Sequence, residues 1–366
     1  MFKKDSNKLF IFSITLLIIT LLAGTVTLSS IAQAAEKKPQ INMLLCPMGC
    51  GAIEGNILLE TVIKRKDLPF HLNSQETPGY NYNLIEMAKS KDLWKHTIFS
   101  TEDDVVALAA HADKPEVKPF FKEPIKNRWK ILYSEGLCTY GMFFQTLNPE
   151  IKSIEQLKGK RIGLGLRGQS CWGMNGYILL AKHGITPENT KIYFLGPAKA
   201  VDELLAGKID GMVTGVYISH DQKNYTIPGM QLILDAAGRD IFYLTPDRAV
   251  YEKINREFGT VTQIIKIPAR TLPKQKIDLY VGADRIYNVA HESFPEELAY
   301  QFVKAVATIG PTLKASHTYW TIVTPTEMLN GLSEENTHPG AIRAFKELGL
   351  WDLRKKFKPV ISEYLR

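Results

Sequence analysis

Residues 160–184 constrain the fold more than any other stretch, because they read as a strand running straight into a glycine-punctuated loop and then a helix. Ile162, Leu164 and Leu166 alternate with Gly163 and Gly165, the period of two expected of a strand over 161–166. From Trp172 or Met174 onward a helix is expected: Ile178, Leu179, Leu180 and Ala181 form its apolar side, and His183-Gly184 supplies a basic last turn and a glycine stop. The connecting Arg167-Gly-Gln-Ser-Cys-Trp172 lies where a helix start leaves unpaired backbone N–H groups and the positive end of the helix dipole. Such a loop suits an anion, and Arg167 adds a forked donor matched to carboxylate or phosphate. An ordinary strand-to-helix turn is the simpler alternative.

The arrangement repeats near the start of the chain. A first strand is expected over 40–46, a glycine-rich loop over 47–52 and a helix over 54–64, with Cys50 in the loop position that Cys171 holds later. Further strands are read at 69–75, 97–100, 130–135, 141–147, 191–195 and 209–214, with helices over 84–89 and 198–206. Asn81 or Asn83 is a plausible cap for the first of these helices, and the acidic Glu102-Asp-Asp104 reads as a cap for the segment after 101. Residues 222–280 read as short strands and turns, among them 231–234 and 263–267. A strand at 279–283 and helices at 295–307 and 340–348 complete the pattern. Strand–helix alternation of this kind predicts mainly parallel α/β sheets with ligands outside the carboxyl ends of the strands.

Lys3, Lys4 and Lys8 precede an apolar run over 9–23, and Ala32-Gln-Ala34 is a small-residue cleavage pattern, so residues 1–34 read as an export signal; an uncleaved anchor is the competing reading. Their removal, with three lysines and one aspartate, takes the formal net charge from +7 to +5. The basic residues are scattered without aromatic interleaving, which argues against a nucleic-acid surface. An oxidising compartment permits disulfides, and Cys46, Cys50, Cys138 and Cys171 allow three full pairings that sequence does not separate. No His or Cys cluster completes a metal site around Cys46, Met48 and Cys50, and no cofactor motif is present.

Lys158-Gly-Lys-Arg-Ile162 before a glycine loop, Leu204-Leu-Ala-Gly-Lys-Ile-Asp-Gly211, and His338-Pro-Gly-Ala-Ile-Arg-Ala-Phe-Lys-Glu-Leu-Gly349 resemble the extracytoplasmic solute receptors of TRAP transporters, in the TAXI family. The resemblance implies a periplasmic, non-enzymatic receptor of type II periplasmic-binding-protein fold, with lobe 1 formed by 35–133 and 271–366 and lobe 2 by 134–270. It also implies a small organic anion, a carboxylate or amino acid, held between the lobes for delivery to a TRAP membrane permease. On the residues themselves, the helix starts at Gly51–Glu54 and Ser170–Met174 are expected to face one cleft. Arg167 with the backbone of Gln169 and Ser170 would take a carboxylate. Tyr80, Asn81 and Asn83 would meet polar atoms, and Trp172 or Tyr217 would form an apolar wall. Glu54 and Glu102 would suit an amine, while Met48, Cys50 and Cys171 complete the loops. Two other classes fit the same fold: an exported enzyme using Cys50 or Cys171 as nucleophile, for which none of the eight histidines lies in a recognised pattern, and a ligand-sensing module.

Overall fold

The computed structural model describes residues 38–219, 221–223, 225–226, 229–358 and 364–365, and within these says nothing of the side chains at 137–142 or of 226 and 229–232. The expected export signal and His220 therefore lie outside the described residues. No helix among the described residues is long and apolar enough to cross a membrane.

Two strands organise the molecule. β1 (Gln40–Leu44), β2 (His71–Gln75) and β3 (Thr97–Glu102) pair in parallel in the order β2-β1-β3. β4 (Lys130–Thr146) is a single strand of 17 residues where the sequence suggested two. β5 (Arg161–Leu164), β6 (Lys191–Phe194) and β7 (Gly211–Ile218) form a second parallel group, ordered β7-β5-β6. β8 (Tyr225–Thr226) pairs with β7, and β9 (Phe242–Leu244) with β4. β10 (Gln263–Ile267) then pairs antiparallel with the first half of β11 (Leu279–Ala290).

The second half of β11 lies between β3 and the first half of β4, while the second half of β4 pairs with β7 and β9. β4 and β11 thus run through both groups, side by side and antiparallel. Their pairing carries register shifts between Ile286 and Tyr287 and between Asn288 and Val289, and such irregularities bend and twist a strand pair. The result is a mixed α/β fold in which two parallel strand groups are joined through β4 and β11.

Two local readings are corrected. Residues 231–234 belong to a helix, Gly229–Ala236, rather than a strand: a run such as Leu-Ile-Leu satisfies either period when it is this short. A further helix, Arg248–Phe258, was missed; Asp247 caps it by accepting from the Ala249 N–H at 2.9 Å, and Gly259 ends it in the left-handed conformation.

The His338-Pro-Gly340 segment is structural. The His338 Nδ1 accepts from the Gly340 N–H at 3.3 Å as the cap of helix Pro339–Glu347, while Nε2 donates to the Phe294 carbonyl at 3.1 Å. This pairing fixes the neutral tautomer, and burial holds the imidazole below its ordinary value. Gly340 lets this helix lie directly on helix Glu296–Ile309, because a Cβ there would come within 2.2 Å of the Glu296 carbonyl oxygen. Backbone cannot yield as a side-chain end can, so Gly340→Ala should lower the unfolding free energy by about 1–3 kcal/mol, the usual cost of overpacking, measured by urea denaturation.

Where β4 and β11 meet, Glu135 is buried. Its Oε1 accepts from the Asn288 amide at 2.5 Å and from the Ser100 hydroxyl at 3.5 Å. Burial raises its carboxyl to about 7 against the pull of these donors. A raised carboxyl binds its proton more tightly in the folded state, so its stabilising contribution is present at low pH and is lost as pH rises from the ordinary carboxylate value towards 7. Glu135→Gln should therefore flatten the fall in stability across that window by on the order of 3 kcal/mol, read from melting curves of both proteins at several pH values.

Candidate functional site

The two strand–loop–helix copies meet. The first copy ends β1 at Leu44 and starts helix Gly51–Arg65 with Cys50 as its N-cap; the second follows β5 with the tight turn Ser170–Asn175, wound wider than an α-helix, before helix Gly176–Lys182. Neither start is capped by a side chain, so each leaves first-turn N–H groups for another partner. Between them lies a cavity of about 20 Å³ lined by Cys46, Cys50, Gly79, Tyr80, Gln169, Ser170, Cys171 and Trp172. That volume admits about one water molecule.

Closure rests on backbone contacts. The Asn81 and Tyr82 N–H groups donate to the Gly168 carbonyl at 3.0 and 3.4 Å. The Asn81 amide donates to the Arg167 and Gln169 carbonyls at 3.2 and 3.3 Å. Gly168 makes the approach possible, since a Cβ there would lie 2.6 Å from Pro78 Cβ and 2.9 Å from its carbonyl oxygen; facing it, Gly79 has φ +130°. On the other side of the cavity, the Tyr217 hydroxyl lies 3.3 Å from the Cys50 sulfur.

Six of the residues singled out in the sequence, Cys50, Tyr80, Gln169, Ser170, Cys171 and Trp172, line the cavity together. Others stand elsewhere. Arg167 is turned away: its guanidinium sits 4.0 Å from the centre of the Phe194 ring and donates to the Pro119 carbonyl at 3.4 Å. It cannot meet a carboxylate in the cavity in this arrangement. Asn83 is a clip, its amide donating to the Leu44, Leu45 and Ser100 carbonyls at 3.1, 2.7 and 3.2 Å and tying β1 to β3. Asn81 touches the opposing loop rather than the cavity. Met48 is exposed, with its N–H donating to Glu76 at 2.8 Å, and Glu54 pairs with His317 at 3.2 Å. Gly51 adjoins Tyr217 and His317. Gln169 also braces its own loop, its side-chain oxygen accepting from the Leu166 N–H at 2.7 Å.

Cys46 and Gly79 were missed as lining residues. Cys46 was legible only through its disulfide, which joins it to Cys50 and which spacing alone could not select; it also removes Cys50 from consideration as a nucleophile. Cys171 carries a thiol, and the side chain of Cys138 is among those not described.

Glu102, read as a cap, does not cap with its side chain. It is wholly buried, and the Cys171 thiol donates to its Oε1 at 2.5 Å. Burial, and then the neighbouring Cys171, push its carboxyl well above the usual range, with the Ser170 hydroxyl pulling the other way. Asp103 and Asp104 are likewise buried and raised, with burial the leading cause. Asp104 is tied to the segment leading into β10 through the Thr262 hydroxyl and the Val261 N–H. These acids therefore stitch β3 to its surroundings instead of presenting charge to a ligand. The arrangement can enclose a small molecule between two helix starts, two aromatic rings, a disulfide and a thiol–carboxyl pair.

Comparison with known proteins follows this geometry. Among solved structures, the periplasmic binding protein BugD is 11% identical over 87% of this chain and 97% of its own, with a TM-score of 0.48. MatC from Rhodopseudomonas palustris with bound malate is 11% identical over 88% and 99%, with a TM-score of 0.46. The alkanesulfonate-binding protein SsuA from Xanthomonas axonopodis pv. citri, bound to MOPS, is 13% identical over 89% and 86%, with a TM-score of 0.40. No curated protein sequence matches the chain. The model of the NMT1-like family matches residues 117–349. That span runs from before β4 through helix Pro339–Glu347 and covers more than half of the sequence, so the chain belongs to the NMT1-like family.

Proposed function

We propose that this protein is an exported, non-enzymatic solute receptor that closes its two lobes on one small molecule and passes it to a membrane permease. The observation that carries the reading is the small cavity between the two helix starts, beside which Asn81 and Tyr82 hydrogen-bond to the 167–169 loop. A volume of about 20 Å³ admits no organic solute, so binding requires the lobes to part and close again, as hinge proteins do. We place the lobes at 35–133 with 271–366 and at 134–270, with β4 and β11 as the two connections. The resemblance of the 158–162, 204–211 and 338–349 segments supports a TRAP-type permease of the TAXI class as the partner.

The solute expected from that resemblance is a small carboxylate. With Arg167 turned outwards, such a ligand would be held by first-turn N–H groups and the Ser170 hydroxyl rather than by an ion pair, beside a Glu102 whose carboxyl burial holds well above its usual range. A second reading is favoured by the lining itself, which contains no Lys or Arg but sets Tyr80 and Trp172 around the cavity: an uncharged planar solute packed against aromatic rings.

Titration calorimetry with matched pairs, each a small carboxylate and its amide, separates the two. Heat from the acids supports the anion, and heat from planar amides supports the neutral solute. Absence of heat from both, with no bound mass in native mass spectrometry of protein from its own host, removes the receptor reading. Closure has its own test. Gly168→Ala places a methyl group against the Pro78 backbone, so small-angle scattering should give a larger radius of gyration than wild type; an unchanged radius would mean that the loops do not set the closed state.

A further inference from the structure

A second cavity lies apart from the two helix starts and shares none of their lining residues. Its volume of about 280 Å³ is near the lower end of the roughly 300–1,000 Å³ of ligand pockets. One wall is the helix Tyr80–Lys89, which buries Leu84 and Met87 in the core and lines the cavity with Ile85, Ala88 and Lys89. The other wall is the irregular connection over 120–127, with Phe120, Phe121 and Ile125 as its apolar part and Lys122 and Glu123 exposed. This connection is fixed along its chain and from behind. The Phe120 N–H donates to the Val117 carbonyl at 2.9 Å, and the Ile125 N–H to the Ala109 carbonyl at 3.0 Å. The Phe120 ring meets Tyr177 and Phe194 edge-on, with centroids 5.5 and 5.8 Å away, and Lys182 holds Glu116 at 2.8 Å. A wall braced in this way keeps the space open, and an apolar void that cannot relax costs stability while nothing fills it.

We propose that this cavity is a second ligand site, for a small carboxylate with an aromatic body. The body is specified by the walls. Phe120 and Phe121 are buried and so already ordered, which leaves little side-chain entropy to lose when an apolar partner packs between them and Ile85. The sign of the charge is specified by the rim, where Lys89 and Lys122 stand against the single acid Glu123. None of these three forms an ion pair among the described residues, and both lysines are exposed. Their aliphatic stems can cover apolar wall while the ammonium heads stay in water at the mouth, so a carboxylate arriving there gains two partners. An amine would face two like charges, and a neutral body would forgo both attractions. The site requires neither closure of the lobes nor a permease, so it stands whether or not the receptor reading holds.

The test is titration calorimetry of the purified full chain with phenylacetate, its neutral amide phenylacetamide and the cation phenethylamine. Phenylacetate should bind, with an affinity that falls as salt is added. Phenylacetamide should bind at least about fivefold more weakly, the scale of an exposed ion pair, and phenethylamine more weakly still. Ala88→Trp fills the space from the helix side and should remove one equivalent of bound phenylacetate. The paired change Lys89→Glu with Lys122→Glu alters only exposed side chains; with its fold checked by circular dichroism, it should weaken phenylacetate at least about fivefold without weakening phenylacetamide. This pair decides the matter should Ala88→Trp fail to fold. The proposal is overturned if wild type gives no heat with phenylacetate, or if a folded Ala88→Trp binds as many equivalents as wild type, which would place the ligand elsewhere, the space between the helix starts included. Equal affinity for acid and amide, or an unchanged affinity in the paired lysine variant, overturns it as well.

Discussion

The antiparallel pairing of β4 with β11 is the constraint on which the rest of the structure depends. One strand is drawn from the middle of the chain and the other from near its end, so neither strand group can be completed until about 150 residues have been threaded between them; Ile286, for example, pairs with Gly136. The pairing serves two purposes at once. The second half of β11 finishes the β2-β1-β3 group, and the second half of β4 starts the β7-β5-β6 group. A change in twist along these two strands is therefore felt as a relative movement of everything attached to them, and the register shifts near Tyr287 and Asn288 lie where such a change costs least in broken ladder.

Much of this was legible because it depends on period and punctuation. The alternation at Ile162 and Leu164, the glycine stops and the helix 296–309 carry strong local patterns, and their elements formed within a few residues of the expected limits. The long strands were less legible. Residues 136–142 include two glycines, Gly136 and Gly141, which read as a break between two strands, yet antiparallel pairing to β11 and β7 supplies the backbone hydrogen bonds that local propensity does not. At 229–236 the apolar run was too short for its period to separate strand from helix.

At the site, the two loops were visible as a repeated pattern, whereas the roles of their side chains were not. Arg167 illustrates the reason. A sequence shows that a forked cation follows a strand, but not that Phe194, on the neighbouring strand β6, offers a ring face 4.0 Å away. Asn83 was drawn into β1 and β3 by three carbonyls, since an amide with such partners gains more from completing the scaffold than from waiting for a ligand. Glu102 and its acidic neighbours illustrate the opposite error. An acidic cluster before a helix usually caps it in water, but here strand β3 is buried along its whole length, so the carboxyls are carried inside and accept protons or local donors instead.

The closed state combines a firm scaffold with a replaceable lining. Asn81 and Tyr82 address main-chain carbonyls at 167–169, and a carbonyl is present whichever side chain stands there, provided position 168 stays small. Each such hydrogen bond contributes roughly 1 kcal/mol net, and each 1.4 kcal/mol is about a tenfold shift between open and closed populations. On the proposed two-lobed reading, a handful of such bonds would bias the lobes together without fixing them. Because these hydrogen bonds are addressed to the backbone, the side chains of Ser170, Cys171 and Trp172 remain in the cavity lining. The loop can then change its lining while the movement that delivers it to the opposite lobe stays the same.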